Sequence, residues 1–108
     1  MQSLEGARAP EAFEGGRTRL EIPEVRLARQ LRKRRNAVLY IRRTGEYRAY
    51  LWALSQGLAA PMRGPDPEQL PPISKRDWET GIQNWRHALR QIQRDTEDLL
   101  FLKMLLTA

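Results

Sequence analysis

At 108 residues the chain is the size of one small domain, and its 41% apolar content allows a modest core. The formal net charge of +6 favours a polyanionic partner, nucleic acid or an acidic membrane surface. No cysteine is present, so disulfides and thiolate metal sites are excluded. His87 is the only histidine, which excludes a multi-histidine metal site. No apolar run approaches the roughly 20 residues of a membrane span, and no apolar signal segment opens the chain, so a soluble intracellular protein is expected.

Residues 1–22, MQSLEGARAPEAFEGGRTRLEI, mix Gly, Pro and charge without a period and read as a mobile N-terminal tail. Pro23 then stands where helices start, with Glu24 in the first turn. Val25, Ala28, Leu31 and Val38 form a partial helical stripe, which predicts a first helix over about 24–39. Arg26, Arg29, Arg32, Lys33, Arg34 and Arg35 lie between them. Such a run can be a solvated face or an import signal. It leads directly into aromatic residues, however, and a basic surface beside exposed rings suits a phosphate backbone with splayed bases.

Thr44 is a candidate N-cap followed by Glu46. Tyr47, Tyr50, Leu51 and Leu54 fall at i, i+3, i+4 and i+7, predicting a second helix over about 45–56 that Gly57 stops. The next stretch, AAPMRGPDPEQLPPI, holds five of the seven prolines and reads as a long loop. Ser74 and Asp77 then make a start resembling a capping box. Trp78, Ile82, Trp85, Leu89 and Ile92 recur at steps of four, three, four and three, which predicts a third helix over about 75–93 with a core stripe. Lys75, Arg76, Arg86 and Arg90 lie off that stripe.

The remaining residues, 94–108, are acidic and then strongly apolar. They predict either a new helix capped near Asp95 and Asp98 or an extension of the third. The apolar bulk can cover the domain or pair with a second copy. The expected fold is therefore all-α, a three-helix domain over 23–93 with a proline-rich loop between helices two and three. No phosphate loop, zinc spacing or Ser/His/Asp set appears, so neither a catalytic step nor a cofactor is expected.

The order Tyr40, Arg42, Thr44, Tyr47, Tyr50, then a proline-rich loop, then Ser74-Lys75-Arg76-Asp77-Trp78 and Trp85, resembles the RNA-binding domain of the histone messenger-RNA stem-loop-binding proteins. The resemblance covers roughly residues 30–90 and implies a three-helix domain that holds an RNA hairpin with its flanking single strands. By position, Arg76 takes the place of the arginine that reads a stem guanine. An arginine fork matches guanine O6 and N7, as lysine cannot. Tyr40 takes the place of a tyrosine that stacks on a loop base, and Arg42 that of a lysine on phosphate. Lys33, Arg34 and Arg35 form the basic entry to the same turn, and Lys75 precedes the guanine reader. A stacking histidine of relatives falls on Arg90, whose planar guanidinium can also stack. The Gly-Lys-Asn turn of relatives becomes Ile41-Arg42-Arg43.

Relatives carry Thr-Pro-Asn-Lys in the loop, with a phosphorylated threonine, where this chain has Asp66-Pro67-Glu68-Gln69. The carboxylate of Asp66 is expected to stand in for the phosphate and tether the loop to Tyr47 or to the indole N–H of Trp85. The resemblance implies a nuclear and cytoplasmic protein that marks histone messages for processing. Its partners would be processing factors or a 3′ exonuclease sharing the RNA, with no membrane involved. The alternative expectation is a basic helical interaction module that binds nucleic acid nonspecifically and a protein partner through the C-terminal apolar helix, or pairs with itself through residues 99–106.

Overall fold

The structure is a computed structural model, and it describes residues 21–108. The expected tail, residues 1–22, therefore lies outside the described residues as far as residue 20. Three helices follow in order: α1 (Pro23–Ile41), α2 (Gly45–Ser55) and α3 (Lys75–Thr107), with no strand among the described residues. The all-α expectation is met, with the proline-rich segment joining α2 to α3. No described helix is long and apolar enough to cross a membrane.

The chain divides into two compact units, 1–30 and 31–108. In the described part of the first, Pro23 occupies the first helical position, where its missing N–H costs nothing. The Ile22 carbonyl accepts from the N–H groups of Val25 and Arg26 at 3.0 and 3.1 Å. Glu21 pairs with Arg26 at 3.7 Å and with Arg29, placing a carboxylate at the positive end of the helix.

The second unit holds the core. Val38 and Ile41 from α1, Tyr50 and Ala53 from α2, and Trp78, Trp85 and Leu89 from α3 are buried. Ile82 and Ile92, also on the predicted stripe, are partly buried against them. On α2 the buried face is narrower than its spacing suggests. Tyr50 is buried and Tyr47 and Leu54 are half-buried, but Leu51 is exposed.

Each helix boundary has a local cause. Thr44 Oγ1 accepts from the Tyr47 N–H at 3.3 Å and donates to the Ile41 carbonyl at 2.6 Å, so one hydroxyl closes α1 and opens α2. At the far end of α2, Gly57 adopts φ +71°. Its N–H donates to Leu54 O at 3.1 Å and the Leu58 N–H donates to Ala53 O at 2.8 Å, the paired bonds of a Schellman cap. Ser74 Oγ accepts from the Asp77 N–H at 3.1 Å and caps α3.

The acidic stretch at Asp95 begins no new helix: α3 runs through it for 33 residues. No glycine or proline follows Gly81, and the Gln91 side chain bridges to Asp95 at 2.9 Å one turn ahead. The distal turns leave the packed body. Leu100, Phe101, Leu102, Met104, Leu105 and Leu106 are all exposed.

Candidate nucleic-acid interface

The proline-rich loop is tied to the helices along its length. The Tyr50 hydroxyl accepts from the Met62 N–H at 2.8 Å. Gly64 lies close against the Trp85 indole, where a Cβ would stand 2.8 Å from ring carbons. Arg35 pairs with Glu68. Arg34 donates from Nη2 to the Ile73 carbonyl at 2.9 Å.

That last contact corrects the expectation for Arg34. It is only 5% exposed, and its guanidinium sits 5.1 Å from the centroid of the Trp78 ring. It therefore does not belong to a phosphate-contacting surface. A buried guanidinium needs hydrogen-bond and cation–π partners, and here they come from the end of the loop and the start of α3. The neighbouring Arg35 is exposed, but its charge is engaged by Glu68, whereas Lys33 is exposed and makes no ion pair with a described carboxylate.

The expected Asp66 tether is not formed. Asp66 Oδ1 accepts from the Glu68 N–H at 2.9 Å, closing a local turn between Pro65 and Pro67. The Trp85 Nε1–H is buried with no partner. Tyr47 instead meets Trp85 ring edge to face, with centroids 6.1 Å apart at 77°, and Tyr50 at 5.7 Å. Gly64, not Asp66, makes the close approach to the indole, so steric fit does the pinning expected of a charge. Pro65 packs on Gly81 of α3 less tightly, its Cγ 3.5 Å from where a Cβ would stand, which leaves ordinary van der Waals room.

Tyr40 lies in the last turn of α1 and is 63% exposed. The Arg86 guanidinium lies 5.9 Å from its ring centroid. Arg42 and Arg43 follow at once in the turn, both exposed. Neither pairs with a described carboxylate. Backbone bonds from Arg42 N to Val38 O and Arg43 N to Tyr40 O, each 3.0 Å, hold this turn without a glycine.

No family model, curated protein or solved structure matches this chain.

Arg76 is exposed in the first turn of α3 and makes no ion pair with a described carboxylate, while Lys75 stands 4.0 Å from Glu79. Arg76 is two positions from Trp78, so it faces away from the buried side of α3. It is ten residues from Arg86, which places the two about 15 Å apart along the helix and about 80° around it. Tyr40 beside Arg86 and Arg76 at the helix start thus cannot meet one base, but they can meet separated parts of one folded strand. Arg90, expected to stack on a base, has its Nε–H 3.1 Å from Glu46 Oε2. Glu46, in the first turn of α2, holds it across the two helices. His87 is exposed, as a surface histidine would be.

Along the sequence Arg86 is one of four basic residues off the core stripe of α3. Its one visible signal is its place directly after Trp85, which fixes its backbone to the core. The partnership with Tyr40 joins residues 46 positions apart, and no local pattern announces it.

Proposed function

We propose that the chain binds an RNA hairpin with its flanking single strands, of the kind found at the 3′ end of histone messenger RNA, and does so without a catalytic step. The observation that carries this reading is the exposed Tyr40 ring with Arg86 5.9 Å from its centroid and the exposed Arg42 and Arg43 next in the chain, none of the three paired with a described carboxylate. An open ring amid uncommitted guanidinium groups is what an unpaired base and its phosphates require.

In this reading Tyr40 stacks on a loop base, and Lys33, Arg42 and Arg43 neutralise phosphate. Arg76 reads a stem guanine about 15 Å along α3, a separation that suits a folded hairpin better than a single nucleotide. The first backbone N–H groups of α3 lie beside it and favour an anionic strand. Arg90 contributes only if Glu46 releases it. Processing factors or a 3′ exonuclease on the same RNA, and a nuclear and cytoplasmic location, follow from the resemblance to the stem-loop-binding proteins.

The test is a titration with a histone-type stem-loop RNA, its sequence-scrambled hairpin and a duplex DNA at physiological salt. Preference for the first by about tenfold, some 1.4 kcal/mol, supports hairpin recognition. Equal affinity for all three rejects it. A second reading draws on the six exposed apolar residues from Leu100 to Leu106. It is a basic module that binds nucleic acid nonspecifically while its distal α3 pairs with a second copy or docks a protein.

A further inference from the structure

We infer that Arg86 is a positioning residue for base stacking: its guanidinium holds the Tyr40 ring in place, so that an unpaired RNA base is clamped on a Tyr40–Arg86 platform. This rests on the hairpin-binding reading above and adds to it a residue that neither composition nor the resemblance assigns.

Three observations meet at this pair. Tyr40 is 63% exposed, far more than packing alone requires of a tyrosine, while the only described cation on its ring is Arg86 at 5.9 Å. Arg86 makes no ion pair with a described carboxylate, and its Nε is buried without a hydrogen-bond partner. Its backbone is anchored beside Trp85 and near Leu89, which are 5% and 0% exposed, and the buried Nε fixes the near end of the guanidinium against the protein.

An arginine that served only the surface would snorkel its whole head into water. Here the Nε end is drawn inward and the cation lies beside a π face. The ring is restrained before any ligand arrives, which lowers the ordering cost of stacking.

The experiment uses the whole chain and a set of stem-loop RNAs, each with 2-aminopurine at one unpaired loop position. Affinity and fluorescence are read for the wild type, Tyr40→Ala, Arg86→Met, Arg86→Lys and the Tyr40→Ala/Arg86→Met double variant. Arg86→Met keeps the apolar stem over the core and removes only the cation; thermal melting checks that each variant folds.

Tyr40→Ala should weaken binding by about tenfold, within the range of one lost base stack. Arg86→Met should weaken it by about fivefold and abolish most of the 2-aminopurine signal at the position that responds in the wild type. Arg86→Lys should restore part of both. The double variant should bind within about twofold of Tyr40→Ala, because both changes remove one interaction. If the two losses multiply, or the signal persists in Arg86→Met, the inference is overturned while hairpin binding stands. If the wild type itself shows no preference for the stem-loop over its scrambled form, both fail together. Should Arg86→Met unfold, Arg86→Gln replaces it in the same cycle, with the same outcomes.

Discussion

Gly64 and Trp85, 21 residues apart, lie in close contact: a Cβ on Gly64 would stand 2.8 Å from Cε2 and Cζ2 of the indole and 2.9 Å from Cη2. The indole cannot retreat, because Trp85 is 5% exposed within the core. Gly64→Ala should therefore displace the loop and lower stability by about 1–3 kcal/mol, the usual range for overpacking. Urea unfolding at constant m-value checks it; a midpoint matching the wild type would mean the loop yields freely.

Asp66 and Trp85 make a contrasting prediction. Since the Asp66 side chain accepts from the Glu68 N–H, an asparagine keeps that bond through its carbonyl oxygen. Asp66→Asn should leave the unfolding midpoint and RNA affinity within error of the wild type. Asp66→Ala should cost about 0.5–1.5 kcal/mol, as a lost side chain to backbone bond does. A large loss in Asp66→Asn would show that the carboxylate charge reaches the indole after all.

Arg34 and Arg42 should separate stability from binding. Arg34→Ala removes a buried guanidinium from the Ile73 carbonyl and the Trp78 ring. A cost of about 1.5–3 kcal/mol is expected in chemical unfolding, with an unchanged salt slope of RNA binding in the variant that remains folded. Arg42→Ala should be neutral to stability and reduce the salt slope by about one contact. The reverse pattern would place Arg34 at the ligand.

The Glu46–Arg90 pair, at 3.1 Å, competes with any role of Arg90 in stacking. Glu46→Gln should free Arg90 and strengthen stem-loop binding by up to about fivefold, the worth of one exposed ion pair. In an Arg90→Ala background the same change should have no effect. Equal gains in both backgrounds would trace the effect to net charge.

Phe101 and Leu105, 57% and 56% exposed, should mediate association rather than folding. Wild-type chain should show concentration-dependent mass in sedimentation equilibrium. Phe101→Glu with Leu105→Glu should sediment as a monomer with an unchanged melting temperature. A monomeric wild type rejects self-pairing of this segment.

Much of this molecule was legible along the chain. Apolar residues at helical spacing marked α3 and its stripe from Trp78 to Ile92. Thr44, Gly57 and Ser74 marked helix ends, because capping is chemistry between near neighbours. The proline spacing between Ala59 and Ile73 excluded helix there, since proline lacks the N–H that a helix interior needs.

What the chain order could not reveal was which charged side chains meet. Arg34 and Arg35 are adjacent, yet one is buried under Trp78 and the other faces Glu68 in solvent, because helix geometry turns neighbours about 100° apart. Whether Asp66 or Gly64 approaches Trp85, whether Arg90 is free or held by Glu46, and which cation borders Tyr40 depend on contacts between distant segments. Local periodicity decides the elements because it acts through neighbouring turns. Tertiary packing alone decides which guanidinium groups remain for a ligand, because burial and pairing are set only when distant segments of residues 31–108 pack together.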